Sequence, residues 1–323
     1  MSDFESRIDL SELSEKISAL KEEASKALIG QSEMLELMLT AMFAGGHVLI
    51  EGVPGIAKTL SAKLISKLVD SDFKRIQFTP DLMPSDVLGT SVFNPKSASF
   101  DYKKGPAFTN LLLIDEINRA PAKTQASLFE VMEEKQVSND GETFALDELF
   151  MVLATQNPIE QEGTYRLPEA QLDRFLFKIV VDYPESADES KILQMTSRNT
   201  NHHRLDFVSP VIKKKEVISL RDNLEAIVMQ DSLIDYIVTL MGKTREHYSL
   251  YLGASPRASI DLMKASKAFA AIQGRDFVSP EDIKRLFRPV VEHRVILSPE
   301  AELQGVTIQE VTEQILQQVE VPK

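Results

Sequence analysis

Apolar side chains at Leu10, Leu13, Ile17, Leu20, Ala24 and Leu28 recur every three or four positions, which gathers them on one face of a helix. Asp9 can cap that helix, with Glu12 three residues on, and Gly30 marks its end. Met34, Leu35, Met38, Leu39 and Met42 predict a second helix, stopped by Gly45 and Gly46. The period then changes. The run His47-Val48-Leu49-Ile50 reads as a buried strand, and runs at 75–78, 111–114, 150–154 and 176–181 predict four more. Helices are expected over about 59–69 and 122–134, with a proline-rich irregular stretch before residue 111 and a hairpin turn at Asn139-Asp140-Gly141. Strands alternating with helices specify an α/β fold, a five-stranded parallel sheet between helices. Beyond about residue 185 strands vanish, and Leu233, Ile234, Ile237, Val238 and Met241 take helical spacing. Ser255-Pro256, Ser279-Pro280 and Ser298-Pro299 each set a capping serine before a first-turn proline. Two domains are therefore expected: an α/β domain with its N-terminal helix over 1–190, and an all-helical domain over 191–323.

Composition narrows the function more than the fold. With 36 Lys and Arg against 49 Asp and Glu, the formal charge is −13, so long-range electrostatics oppose docking on nucleic acid or anionic lipid. The absence of cysteine excludes disulfides, thiolate metal sites and a cysteine nucleophile, and it fits a reducing compartment. His202 and His203 are adjacent, which on a helix points them about 100° apart, as in a solvated pair rather than a zinc site. The segment MSDFESRIDLSELSEKI has neither the basic start nor the apolar core of a secretion signal. No apolar run approaches the roughly 18 residues needed to cross a bilayer. A cytoplasmic location without direct membrane insertion is expected.

The chemistry concentrates where strands end. Gly52-Val53-Pro54-Gly55-Ile56-Ala57-Lys58-Thr59 lies between the first strand and a helix, the context of a P-loop. Such a turn aims successive backbone N–H groups inward while the helix N-terminus adds partial positive charge, so main chain holds phosphate. Lys58 is suited to reach the β- and γ-phosphates, and the Thr59 hydroxyl to ligate Mg²⁺. Ala57 replaces the last glycine of the general pattern; an ordinary helical or extended angle is expected there, because positive φ would cost about 1 kcal/mol. The apolar run Leu111–Ile114 ends in Asp115 and Glu116, placing Asp115 to hold the metal and Glu116 to polarise an attacking water. Alone, an Asp-Glu pair is commonly a solvated loop; the P-loop upstream changes that reading. Asn157 follows another apolar strand and can orient the water, although an Asn before Pro is by itself only a turn former.

Taken together these parts resemble the AAA+ ATPases, and closely the MoxR family within them. The resemblance covers nearly the whole chain and rests on GVPGIAKT at 52–59, RIQFTPDLMPSDVLG at 75–89, LLLIDEINRAP at 111–121, ATQNPIEQEGTYRLPEAQLDRF at 154–175 and GASPRA at 253–258. Ala57 is the usual residue in that family. The resemblance implies an AAA+ P-loop core with a C-terminal helical lid, binding ATP or ADP with Mg²⁺, with Leu60 continuing the nucleotide-binding segment. It implies that Asn157 is the first sensor, Arg174 an arginine finger acting on a neighbouring subunit, and Arg257 the second sensor, presented by the lid across the cleft to the γ-phosphate. Arg166 competes with Arg174 for the finger role, and a surface ion pair is the plain alternative for Arg174. Ile29-Gly30-Gln31 resembles the adenine-contacting segment, and the regions around 78–108 and 139–141 resemble the helix-2 and pre-sensor-1 inserts that face a client.

The implied function is ATP hydrolysis at subunit interfaces of a homo-oligomeric ring, expected to be a hexamer. It would drive chaperone-like remodelling or maturation of a protein client, often one carrying a von Willebrand factor A domain. The alternatives are a magnesium-chelatase-like ATPase subunit, a DNA-remodelling or transcription-activating motor, and a nucleotide-gated scaffold that hydrolyses little. The charge of −13 and the lack of a recognisable DNA-binding helix pair oppose the motor on DNA. Intact Lys58, Glu116, Asn157 and Arg174 oppose the scaffold.

Overall fold

The computed structural model describes residues 11–53, 55–157, 165, 167–198 and 204–322; Asp9, Leu10, Pro54, Arg166, His202 and His203 lie outside the described residues. α1 (Ser11–Ser25) and α2 (Ser32–Ala44) precede β1 (Val48–Gly52), α3 (Lys58–Leu68) and β2 (Phe73–Gln77). α4 (Pro84–Leu88) leads into a hairpin of β3 (Gly89–Asn94) and β4 (Ser99–Lys104). Next come β5 (Leu111–Asp115), α5 (Ala122–Glu134), a second hairpin of β6 (Gln136–Asn139) and β7 (Glu142–Ala145), β8 (Met151–Gln156), α6 (Glu169–Leu172) and β9 (Phe177–Val181). The C-terminal part comprises α7 (Ser186–Arg198), α8 (Lys214–Asn223), α9 (Asp231–Glu246), β10 (Leu250–Leu252), α10 (Pro256–Ile272), α11 (Pro280–Val291), β11 (Ile296–Leu297), α12 (Pro299–Leu303) and α13 (Ile308–Gln318).

The five expected strands form one parallel sheet in the order β2-β5-β8-β1-β9. Because successive side chains of a strand point to opposite faces, each central strand feeds two cores. Leu111, Leu113, Met151, Leu153, Val48 and Ile50 enter one core with α2, α3 and the lid helices. Leu112, Ile114, Val152, Ala154 and Leu49 enter the other with α5. The continuous apolar runs of β5 and β8 reflect this burial on both faces.

Two expectations are corrected. The proline-rich stretch folds as α4 and the β3–β4 hairpin; half of β3 and nearly all of β4 are exposed and neither strand has a buried position, so no apolar alternation advertised them. The helical lid also carries a short antiparallel pair, β10 with β11, whose three and two residues are too few to show a period. The three Ser-Pro dipeptides do open α10, α11 and α12.

A buried ionic hub fixes the lid on the sheet domain. Arg294, whose side chain is 1% exposed, pairs with Asp173 at 2.8 Å and Asp261 at 2.5 Å. It also donates to the carbonyls of Val290, Asp173 and Phe175. Ser255, the residue before α10, donates to the same Asp173 carboxylate. Burial pushes the Asp261 carboxyl above its usual range, while the Arg294 guanidinium pulls it back. Removing Arg294 would take this partner from both carboxylates at once, typically a loss of about 3–5 kcal/mol, whereas removing either acid leaves the guanidinium paired with the other.

His47, just before β1, is fully buried between strands. Its Nδ1 accepts the Val152 N–H at 3.0 Å and its Nε2 donates to the Met132 carbonyl at 3.2 Å, an arrangement that requires the neutral ring. Burial pulls its pKa from 6.5 down to about 4. Below 6.5 the unfolded chain takes up the proton first, so this contribution is complete above pH 6.5 and lost as pH falls to 4, roughly 3 kcal/mol in all. Denaturant midpoints of the native chain should therefore fall across that window. His47→Gln should be less stable at neutral pH yet lose less on acidification; parallel curves would refute the assignment.

Candidate nucleotide site

In a parallel sheet, residues just past the strand ends gather at the carboxyl edge. The P-loop extends from β1, Asp115 ends β5 with Glu116 next, and Asn157 lies directly after β8. Gly55, Ala57, Lys58, Thr59, Leu60, Asp115, Glu116 and Asn157 line a cavity of about 430 Å³ together with Arg75, Gln77 and Thr155. The P-loop lysine and both acids thus face one space, as the sequence requires.

The turn that builds this cavity has a specific backbone. Gly55 has φ 91° and Ala57 φ 65°, ψ 16°. Ala57 is therefore left-handed, contrary to expectation. Its carbonyl already accepts the Ser61 N–H at 2.9 Å, the first bond of α3, while its φ turns the chain out of the loop into the helix. A methyl group is the smallest side chain that bears this angle, at a cost of about 1 kcal/mol. Gly52 needs its missing Cβ for another reason: one there would lie 2.7 Å from the Val181 carbonyl oxygen. Ile56 is buried and Val53 packs against the core, so these two anchor the loop rather than line the cavity.

Polar contacts set the acids. The Thr155 hydroxyl donates to one Asp115 oxygen at 3.1 Å, and Arg75 Nε donates to the other at 2.6 Å. Thr155 Oγ1 also accepts the Glu116 N–H at 3.1 Å. Glu116 itself is left-handed, φ 57°, and its side chain lines the same cavity as Asp115. There it meets Gln77 at 3.1 Å and Arg119 at 2.9 Å. Backbone strain at an acid of this kind is a mark of function. Lys58 donates to the Gly52 carbonyl at 2.5 Å; partial burial lowers its pKa, while Asp115, Glu116 and Glu51 pull it upward.

Among the described residues no group of three His, Cys, Asp or Glu could hold a metal. One carboxylate and one hydroxyl beside a phosphate cradle nevertheless suit Mg²⁺, which keeps waters and takes phosphate oxygens rather than an all-protein cage.

The arginines lie elsewhere. Arg174 precedes β9 and Arg257 stands in the first turn of α10. Both reach Glu133 in the last turn of α5, Arg257 at 2.8 Å and Arg174 at 3.9 Å. This is the amino edge of the sheet, one strand length, roughly 16 Å, from the P-loop. Arg257 does not cross its own cleft to the phosphate cavity: the Arg294 hub holds Asp261, one turn further along α10, at this opposite edge. Gly30, φ 73°, lines a second cavity of about 570 Å³ with Val181 and Asp182, which lie at the carboxyl edge, Val181 being the register partner of Gly52. Ile29 is half-buried and does not line it.

Sequence reasoning missed Arg75, Gln77, Thr155 and Glu133. The first three are polar residues at the ends of expected strands, a signal that adjacency to the acids could have flagged. Glu133 is one charged residue among several on α5 and carries no local signal.

Comparison with known proteins agrees with this geometry. The family described as ATPase family associated with various cellular activities (AAA) matches residues 47–177, and the AAA lid domain matches 242–317. The chain is an AAA+ ATPase that binds and hydrolyses ATP. It is 45% identical over 301 residues to YeaC of Bacillus subtilis, covering 93% of each chain. It is 40% identical over 316 residues to Chaperone MoxR1 of Mycobacterium tuberculosis, covering 93% of this chain and 81% of that one. A crystal structure from Cytophaga hutchinsonii, described as a candidate ATPase, superposes with a TM-score of 0.90 at 42% identity, covering 98% of this chain and 97% of that one. The chain belongs to the MoxR family of AAA+ ATPases.

The left-handed Ala57 gives a direct test. Ala57→Gly should raise the apparent Tm by about 1–3 °C while ATP binding is retained. Ala57→Val, β-branched at positive φ, should lower both stability and binding. Equal melting of all three would show that this angle is unstrained.

Proposed function

We propose that this MoxR-type ATPase hydrolyses Mg·ATP at the junctions of a homo-oligomeric ring and uses the cycle to remodel a protein client. The observation that carries the reading is the separation of the phosphate cavity from the Arg174–Arg257 pair on opposite edges of one sheet. A subunit whose donor face and acceptor face differ associates head to tail, and such contacts form a ring when the rotation between neighbours closes. Each subunit then offers two guanidinium groups to its neighbour's γ-phosphate, where charge develops during transfer. Glu133 holds the pair together until the neighbour's phosphate competes for it.

Within the cavity, Lys58 turns from the Gly52 carbonyl to the β- and γ-phosphates. Thr59 and Asp115 would hold Mg²⁺, which would neutralise charge on the phosphate oxygens. Glu116, fixed by Thr155 and Gln77, accepts a proton from the attacking water, and Asn157 orients that water. Gly30 and Ile29 are the candidate base contacts.

The client face is formed by the two hairpins. Asn139 and Asp140 bond Ser91, and Tyr102 stacks on Phe144 at 4.4 Å, so the hairpins move as one surface. Phe93 and Phe100, 52% and 72% exposed, stand at its tip. A relative carries the name chaperone, which supports a protein client. Among the described residues no helix is long and apolar enough to cross a membrane.

Glu116→Gln should keep ATP binding and lower turnover by about 10²–10⁴-fold; unchanged turnover would overturn its role as base. Arg174→Ala and Arg257→Ala should each bind nucleotide normally and lose turnover. Mixing either with Lys58→Ala subunits should restore part of the activity, because one partner supplies the arginine and the other the phosphate site. Failure of rescue for Arg257→Ala alone would place that residue in its own subunit's cleft.

A further inference from the structure

β2 is an edge strand paired only with β5, in the register Arg75 to Leu113 and Gln77 to Asp115. Arg75 and Gln77 are two residues apart, so they project from the same face, and each reaches forward to one acid. Gln77 meets Glu116 as a neutral donor. Arg75 meets Asp115 as a full charge at 2.6 Å, on the oxygen that Thr155 leaves open. The Arg75 side chain is about half exposed and lines the phosphate cavity, where Lys58 is the other cation among the lining residues.

This contact is in the wrong place for a merely structural ion pair. Asp115 is the acid suited to the metal, and a guanidinium held on its oxygen takes one of that oxygen's lone pairs and repels an approaching dication. Without Arg75, two neighbouring carboxylates would face an entering triphosphate; with it, Asp115 is neutralised beforehand. When Mg²⁺ takes Asp115, the released guanidinium remains on the same wall, and its planar fork of donors matches phosphate oxygens.

We propose that Arg75 is a placeholder cation: it occupies Asp115 until magnesium displaces it, and then moves onto the terminal phosphate of the same subunit's nucleotide. The proposal rests on the nucleotide reading above and adds a cis arginine to the two supplied by the neighbour. Two consequences distinguish it from simple phosphate binding. Arg75 competes with the metal, and it favours ATP over ADP only when magnesium is present.

The test is a fluorescent-ATP binding titration on the full chain with stepped MgCl₂, repeated with a fluorescent ADP. For Arg75→Ala the half-saturating magnesium concentration should fall at least threefold. Affinity measured in EDTA should fall, because Asp115 is left unpaired, and the preference for ATP over ADP at saturating magnesium should drop severalfold. Arg75→Lys, which keeps the charge, should restore EDTA binding but not the full ATP preference. Lys74→Ala, on the other face of β2, controls for damage to the strand. An unchanged or raised magnesium requirement in folded Arg75→Ala would overturn the placeholder role. Failure of the unmodified chain to bind Mg·ATP would instead sink the nucleotide site itself.

Discussion

Every strand of the central sheet runs the same way, and the sheet is covered on both faces, so polar chemistry has only two places to emerge: its edges. The carboxyl edge collects the P-loop, the paired acids and Asn157 because each stands at the end of a strand. The amino edge collects Arg174 because it precedes one. The proposed head-to-tail arrangement depends on this polarity, since Arg174 and Arg257 stand at the opposite edge from their own subunit's phosphate cavity.

The Arg294 hub turns that polarity into a fixed arrangement of domains. Asp173 lies next to Arg174, and Asp261 lies one turn from Arg257; one buried guanidinium binds both carboxylates. The lid is therefore bolted where its Arg257 stands beside Arg174 of the core domain, both on Glu133. A buried guanidinium bonded on several sides resists small rotations, because any shift breaks several charge-assisted bonds together. In the proposed ring, movement of a neighbour would act on the two arginines as one body.

The paired acids illustrate how far local pattern carries. Asp115 and Glu116 were legible because an unbroken apolar strand ending in acids has few other readings once a P-loop stands upstream. Their partners were not. Arg75 is 40 residues from Asp115 and Thr155 is 40 residues beyond it, so only strand order and register make them neighbours. Ala57 failed for a different reason: its residue type argued against positive φ, and the geometry of a turn entering a helix overrode that preference at modest cost. The hairpin over 89–104 escaped because its strands stand in solvent and have no buried face to write an alternation.

Periodicity and a handful of strand-end residues pointed, by themselves, to the α/β core, the helical lid and a site for a triphosphate, because amphipathic period and the residue type at a strand's end are written locally in the chain. The tertiary structure alone decided which edge received Arg257, which carboxylate joined it to Arg174, and which cation sits on Asp115. Those outcomes depend on packing between segments 40 to 124 residues apart, and long-range packing leaves no period in the sequence.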